Sequence, residues 1–429
     1  MTPGIASGSV AATNPPVRRL AAWPADDLRD LATEHGTPLY VLDLDRVREN
    51  ADRLRRAFPD AAIGYAVKAN AIRSVLETIA DVGLGAECAS AGEVVRALDA
   101  GFDRVRYTAV NPPARDLDRV VDLATGRDIA ITVGASDTLD RLAERGWTGA
   151  LFVRVNPGVG TGHHAMVRTG TDPTFGVPDD RVAAVVSEAA ERGFDVRGLH
   201  AHAGSGILDA DDRDAHRALV ARMGELTGEI VDRGVDLDTV IVGGGFGVPY
   251  REPTSPLDLD SLAAATREAL GGAGGRGASG VRLGIEPGRY LVADAGVLVT
   301  RVNTVKPTPE TTVAGVDAGM TDLLRPALYD AHHAIRSLAP DASERERVST
   351  TVAGPVCESA DAFAWGRELP APSRDDRLAV GNAGAYGYEM ANTYNSRPRP
   401  AVVALEDGES RVCVRRETID DLTRLEGER

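Results

Sequence analysis

Short apolar runs recur along the chain from Ala61 onward and read as strands: Ala61–Val67, Leu84–Cys88, Val105–Val110, Ile129–Val133, Leu151–Val155, Val196–His202, Thr239–Val242 and Val281–Ile285. Between several of them apolar residues fall at helical spacing, as in Ala71–Val82, Ser90–Ala100, Asp180–Arg192 and Ala210–Arg233. Strands alternating with helical patterns predict βα units and a parallel sheet. Eight such units predict a TIM-type (β/α)8 barrel over residues 46–293. After Tyr290 the pattern changes. Val297–Val305, Thr311–Val316, Thr350–Val356, Leu378–Val380, Ala401–Leu405 and Arg411–Arg416 predict antiparallel strands of a second, mostly β domain over residues 294–429. Pro38–Leu42 is also strand-like; it either joins that domain or opens a barrel helix. Residues 1–16 are small and polar and are expected to be disordered. Gly271–Gly280 reads as a surface excursion within the barrel.

Composition narrows the class. With 43% hydrophobic and 26% charged residues, the 429-residue chain is an ordinary globular protein of two or three domains. No apolar run is long enough to span a bilayer, and the first 23 residues lack the pattern of a secretion signal. Cys88, Cys357 and Cys413 are far apart and make neither a disulfide framework nor a zinc signature. A soluble, cytoplasmic protein is expected. Lys+Arg is 48 against 64 Asp+Glu, a net charge of −16 that argues against nucleic acid as a partner. Lys68 and Lys306 are the only lysines, which fits codon bias and a surface suited to high salt.

In a TIM-type barrel the chemistry sits at the C-terminal ends of the strands. Lys68 stands at such an end in a chain that otherwise uses arginine. An amine that arginine cannot replace points to Schiff-base chemistry, most often with pyridoxal phosphate (PLP). Gly243–Gly247 lacks the dinucleotide spacing, but backbone freed of side chains can ring a phosphate, and Ser205 adds a hydroxyl. His200 and His202 alternate along a strand and face the same way. A metal pair would need further ligands at other strand ends, which instead offer Lys68, Glu87, Arg154 and Glu286; no metal is expected. One histidine stacking on a cofactor ring fits better. Glu286 either pairs with Arg289 for stability or faces a pyridine nitrogen and strengthens the ring as an electron sink. His163-His164 and His332-His333 read as loop residues with diverging side chains.

Taken together, Tyr65–Asn70, Glu87–Glu93, His202–Ser205, Val242–Gly247, Glu286–Arg289, Gly354–Asp361, Ala385–Gly387 and Tyr394–Pro400 resemble the fold-type III PLP-dependent decarboxylases, which act on diaminopimelate, ornithine or arginine. Arg325–Tyr329, Cys357–Ser359 and Asn395–Pro400 resemble the branch that acts on diaminopimelate. The resemblance runs from about Thr37 to Arg416. It implies a PLP barrel with an antiparallel β domain that takes in residues 17–45. It also implies a homodimer and decarboxylation of meso-2,6-diaminopimelate to L-lysine. By the same resemblance, Lys68 carries PLP, His202 stacks on its ring and Glu286 pairs with its nitrogen. Ser205, Gly243, Gly244, Gly245, Pro287, Gly288, Arg289 and Tyr386 complete the cofactor-binding set. Arg289, Arg325, Tyr329, Glu358 and Tyr386 bind substrate, and Cys357 donates a proton. Cys357 and Glu358 come from the partner subunit in this family. Three positions, at two places in the chain, depart from it. Pro173-Thr174 stands where many diaminopimelate-acting members have Ser-Lys, and Gly206 where glutamine is common. A same-fold decarboxylase of ornithine, arginine or carboxynorspermidine is the nearest alternative. An amino-acid racemase is disfavoured by Glu286 and by Cys357-Glu358. A PLP-carrier protein would be a single barrel, and a metal hydrolase would show itself by metal content.

Overall fold

The computed structural model describes residues 15–159, 172–272 and 280–427. Residues 1–14, His163-His164 and most of Gly271–Gly280 lie outside the described residues. A first strand, β1 (Leu39–Asp43), precedes the barrel. The barrel strands are β2 (Ala62–Ala66), β3 (Gly85–Cys88), β4 (Arg104–Thr108), β5 (Asp128–Val133), β6 (Ala150–Asn156), β8 (Asp195–His200), β9 (Thr239–Ile241) and β10 (Arg282–Ile285); a two-residue β7 (Val177–Pro178) hangs on the end of β6. All eight pair in parallel, and β2–β10 and β5–β6 close the ring. Each expected strand is present, with ends moved by at most two residues.

Local chemistry sets the turns around the site. Ser90 Oγ accepts from the Glu93 N–H (3.2 Å) at the start of helix Ala91–Asp99, and the Glu93 carboxylate accepts from the Ala89 N–H (2.6 Å). This exchange satisfies two orphan donors and fixes the chain beyond β3.

The second domain adds β11 (Gly296–Pro307), β12 (Thr312–Val316), β13 (Ile335–Ser337), β14 (Arg347–Ala353), β15 (Ala362–Pro370), β16 (Arg377–Val380), β17 (Ala401–Glu406) and β18 (Glu409–Val414). Their order is β15-β14-β12-β11-β1-β17-β18, with β16 also on β11 and β13 on β16. β13 and β15 were not expected from the pattern. The expected antiparallel sheet is mixed: β1–β17 and β12–β14 are parallel. Parallel neighbours need a long crossover, and both pairs have one. The whole barrel separates β1 from β17, and the stretch holding helix Arg325–Tyr329 separates β12 from β14.

β1 settles the place of the N-terminal run. It lies between β11 and β17 with Leu39 through Leu42 all buried. Leu39 and Val41 face Leu20, Trp23 and Leu28, while Tyr40 and Leu42 face the core continuous with the barrel. The strand's two-residue period thus feeds two cores at once, at about 1.5–3 kcal/mol for each large side chain buried.

Candidate active site

The C-terminal ends of the barrel strands enclose a cavity of about 330 Å³. Lys68, His202, Ser205, Gly244, Gly245, Glu286, Gly288, Arg289, Arg325, Tyr329 and Tyr386 all line it. Gly243 and Pro287 stand just behind: the Gly243 carbonyl accepts from the Glu286 N–H (2.8 Å), and the Pro287 carbonyl from the Ala66 N–H (3.2 Å). Cys357 and Glu358 are exposed and are not among the lining residues. Tyr394 Oη donates to Glu358 (2.6 Å).

Lys68 projects from the turn after β2, half exposed, but to the cavity. Its Nζ donates to Glu87 Oε2 at 2.9 Å, and Glu87 is 3% exposed. Enclosure alone pulls the amine's pKa down; Glu87, Tyr386 and Glu286 outweigh it and hold Lys68 as an ammonium. Tyr386 reaches this turn from the second domain. Its N–H donates to the Ala69 carbonyl (2.8 Å), and Asn70 Nδ2 donates to the Gly384 carbonyl (2.9 Å).

Glu286 has two close partners. Arg106 Nη1 donates to Oε1 at 2.6 Å, and His200 Nε2 lies 2.8 Å from Oε2. Burial favours the neutral acid, but His200, Arg106 and Lys68 prevail and keep the carboxyl well below the usual carboxylate range. Burial holds His200 below the usual imidazole value, against the pull of Glu286. The pair is therefore a carboxylate with a neutral N–H donor. The expected alternative, a stabilising pair with Arg289, does not form. Arg289 turns instead to Tyr250 Oη (2.8 Å) and Ser205 Oγ (3.1 Å). Arg106 was missed in the sequence, although Thr108, two residues on, lines the cavity that Glu286 also lines.

His200 and His202 do face the same way, and both line the cavity. His202 Nδ1 accepts from the Gly244 N–H (3.3 Å). Burial, then the Lys68 and Arg154 cations, push its pKa down to about 3, so the ring is neutral. Gly243 and Gly245 have φ of 72° and 84°. A Cβ at Gly244 would sit 2.1 Å from the Glu286 carbonyl oxygen, so this turn admits only glycine. Beside it, Ser205, Arg289 and Tyr386 share one wall, with Arg289 4.8 Å over the Tyr386 ring.

Arg325 is 3% exposed. It lies 4.7 Å over the Tyr250 ring, and its Nη1 is 2.9 Å from His333 Nε2. Tyr250 and His333 were not singled out as site residues. His333 does lie in a loop, as expected, but it is fully buried. Phe175 lines the cavity under Arg154 (5.1 Å), whereas Thr174 is exposed and bonded to Asp172. The altered Pro173-Thr174 pair thus lies off the cavity wall.

These residues fit PLP: a reactive amine, an ionised carboxylate, a neutral flat ring, and a hydroxyl with a guanidinium beside a glycine turn for the phosphate. The family model "Pyridoxal-dependent decarboxylase, pyridoxal binding domain" matches residues 44–293. The chain is 41% identical over 413 residues to the diaminopimelate decarboxylase of Methanothermobacter thermautotrophicus, covering 93% of each. It is 34% identical over 422 residues to that of Escherichia coli K12, covering 94% of this chain and 96% of the other. A crystal structure of the Helicobacter pylori diaminopimelate decarboxylase complexed with L-lysine superposes with a TM-score of 0.85 at 33% identity, covering 93% of this chain and 99% of that one. With the model spanning more than half its length, the chain belongs to the pyridoxal-dependent decarboxylase family.

Proposed function

We propose that this chain decarboxylates meso-2,6-diaminopimelate to L-lysine and CO2, the last step of lysine biosynthesis. The observation that carries the reading is a single cavity holding both the Lys68–Glu87–Glu286 charge cluster and the buried Arg325. The Methanothermobacter thermautotrophicus and Escherichia coli relatives are diaminopimelate decarboxylases by name, and the Helicobacter pylori enzyme has been seen with L-lysine.

When bound at Lys68, PLP supplies a link to the substrate amine and a ring that takes up the electron pair left by CO2. Lys68 must shed a proton before it can bond to carbon, and Glu87 Oε2, at 2.9 Å, is within reach to accept it. Glu286, kept anionic by Arg106 and His200, would hold a proton on a ring nitrogen. His202 offers a flat face without adding positive charge. Ser205, Arg289, Tyr386, Gly288 and the Gly243–Gly245 turn, with Pro287 behind, would hold the phosphate. Arg325 and Tyr329 would take the distal carboxylate. A diamine precursor such as ornithine lacks that carboxylate and leaves Arg325 unpaired, at a cost of about 1–3 kcal/mol.

Cys357 and Glu358 enter as the partner's contribution: Cys357 protonates Cα and Glu358 binds the distal ammonium. Their exposure, with Tyr394 exposed and bonded to Glu358 and Trp365 also exposed, supports a homodimer with shared sites. Lys68→Ala and Cys357→Ala subunits, each inactive alone, should recover about a quarter of wild-type activity when mixed. No recovery in proven mixed dimers removes the sharing. We divide the chain into residues 17–45 and 294–429 around a 46–293 barrel. Among the described residues no helix is long and apolar enough to cross a membrane, and a cytoplasmic place agrees with the three unpaired cysteines.

The test is an end-point assay with PLP and meso-diaminopimelate at low and high salt, scoring L-lysine and CO2. Equal amounts of both are expected. Neither product at either salt, with PLP bound, sinks the substrate, and a panel of basic amino acids then replaces it.

A further inference from the structure

Arg289 and Arg325 are 8% and 3% exposed, and among the described residues neither pairs with a carboxylate. Their partners are Tyr250, Ser205 and His333. A buried cation without a counter-charge is costly and is normally retained to meet an anion. Arg325 has a second difficulty. It opens a helix of only five residues, Arg325–Tyr329, and a free arginine side chain carries about 2 kcal/mol of rotamer entropy. Something must aim it without neutralising it.

His333 has the required chemistry. Its Nδ1 lies 2.8 Å from the Gly381 carbonyl oxygen, which can only accept. Nδ1 therefore carries the hydrogen, and Nε2 is left with a bare lone pair. Arg325 Nη1 donates to that lone pair at 2.9 Å. The ring also stands edge-on to Tyr250, at 5.0 Å between centroids. Burial, then Arg325, push its pKa down to about 3, so the ring stays neutral wherever the enzyme works. A carboxylate in this place would hold Arg325 equally well but would cancel the charge a ligand needs.

We propose that His333 is a positioning residue for substrate recognition, a neutral brace anchored on Gly381 that aims Arg325 at the distal carboxylate of the substrate. The proposal rests on the reading of Arg325 as the carboxylate-binding group.

Three variants test it. Asn keeps a donor near the Nδ1 position but falls short of Arg325. Gln places an amide oxygen near Nε2. Glu has the shape of Gln with a charge. The readouts are KM and kcat for meso-diaminopimelate, calorimetric affinity for pimelate, and the affinity and absorbance of PLP. Pimelate has both carboxylates and no amine, so it cannot react. His333→Asn should raise KM and the pimelate Kd about tenfold, the size of one lost charge-assisted bond, and leave kcat and the PLP spectrum alone. His333→Gln should stay near wild type, and His333→Glu should weaken both at least as much as Asn. Wild-type KM in the Asn variant overturns the proposal. So does an equal loss of kcat and PLP affinity in all three, which marks a structural role. If the Asn protein does not fold, equal KM for Gln and Glu overturns it. Wild-type protein with no turnover of meso-diaminopimelate strikes the reaction instead, and the pimelate affinities then decide on His333.

Discussion

The two ends of the cavity are built on opposite electrostatic plans. At the barrel end the charges are matched within the chain: Lys68 on Glu87, and Glu286 on Arg106 and His200. At the other end Arg289 and Arg325 have hydroxyls, tyrosine rings and a neutral imidazole for company, and among the described residues no carboxylate. The first arrangement holds protonation states in place for chemistry. The second leaves positive charge unspent, which makes it a place for anions. A cavity with charges matched at one end and unmatched at the other can orient a zwitterionic substrate by its distal carboxylate.

The largest test of this contrast is Lys68→Ala. Turnover should fall by about a thousandfold or more, PLP absorbance should vanish, and Glu87 should be left buried without its cation. Retained turnover ends the assignment of Lys68. Glu286→Gln comes next and should lower kcat by about 10²–10³-fold, the range for one lost electrostatic stabiliser. It also has a pH signature. The folded pKa of Glu286 is depressed, so its contribution to stability is present above the ordinary glutamate value of about 4.3 and fades as the pH falls below it. Melting temperatures of the wild type and the Gln variant should converge from pH 7 to pH 3. A constant gap would mean that Glu286 does not titrate as drawn. The smallest effect sharpens the unmatched end. Arg325→Met should cost about a hundredfold in kcat/KM for meso-diaminopimelate, yet leave the melting temperature equal or higher, because it removes an unmatched buried charge. A clear loss of stability would show that Arg325 is paired after all.

Where local pattern and chain position carried the information, the sequence was readable. Eight apolar runs marked the barrel, and a lone lysine at a strand end marked the site. Arg106 was hidden because one arginine in a strand reads as solvent-facing until its alternation with Thr108 is combined with ring closure. Tyr250 and His333 sit on loops that meet only through tertiary packing, so no spacing could join them to Arg325. Strand direction is likewise nonlocal, which is why the parallel pairings of β1 and β12 escaped. β15 escaped for a different reason: Gly366, at φ 53°, interrupts its alternation.

The central position of β1 has a consequence for how the protein comes into being. Its flanking strands, β11 and β17, lie on the far side of the barrel in the chain, with β17 near the C-terminal end. β1 must therefore wait with both edges bare until the barrel has been made and β11 follows it, and with one edge bare until β17 arrives. Contacts between such distant segments form slowly, and bare strand edges invite pairing with other chains. Yield in the cell should therefore be limited by the interval before β17 arrives.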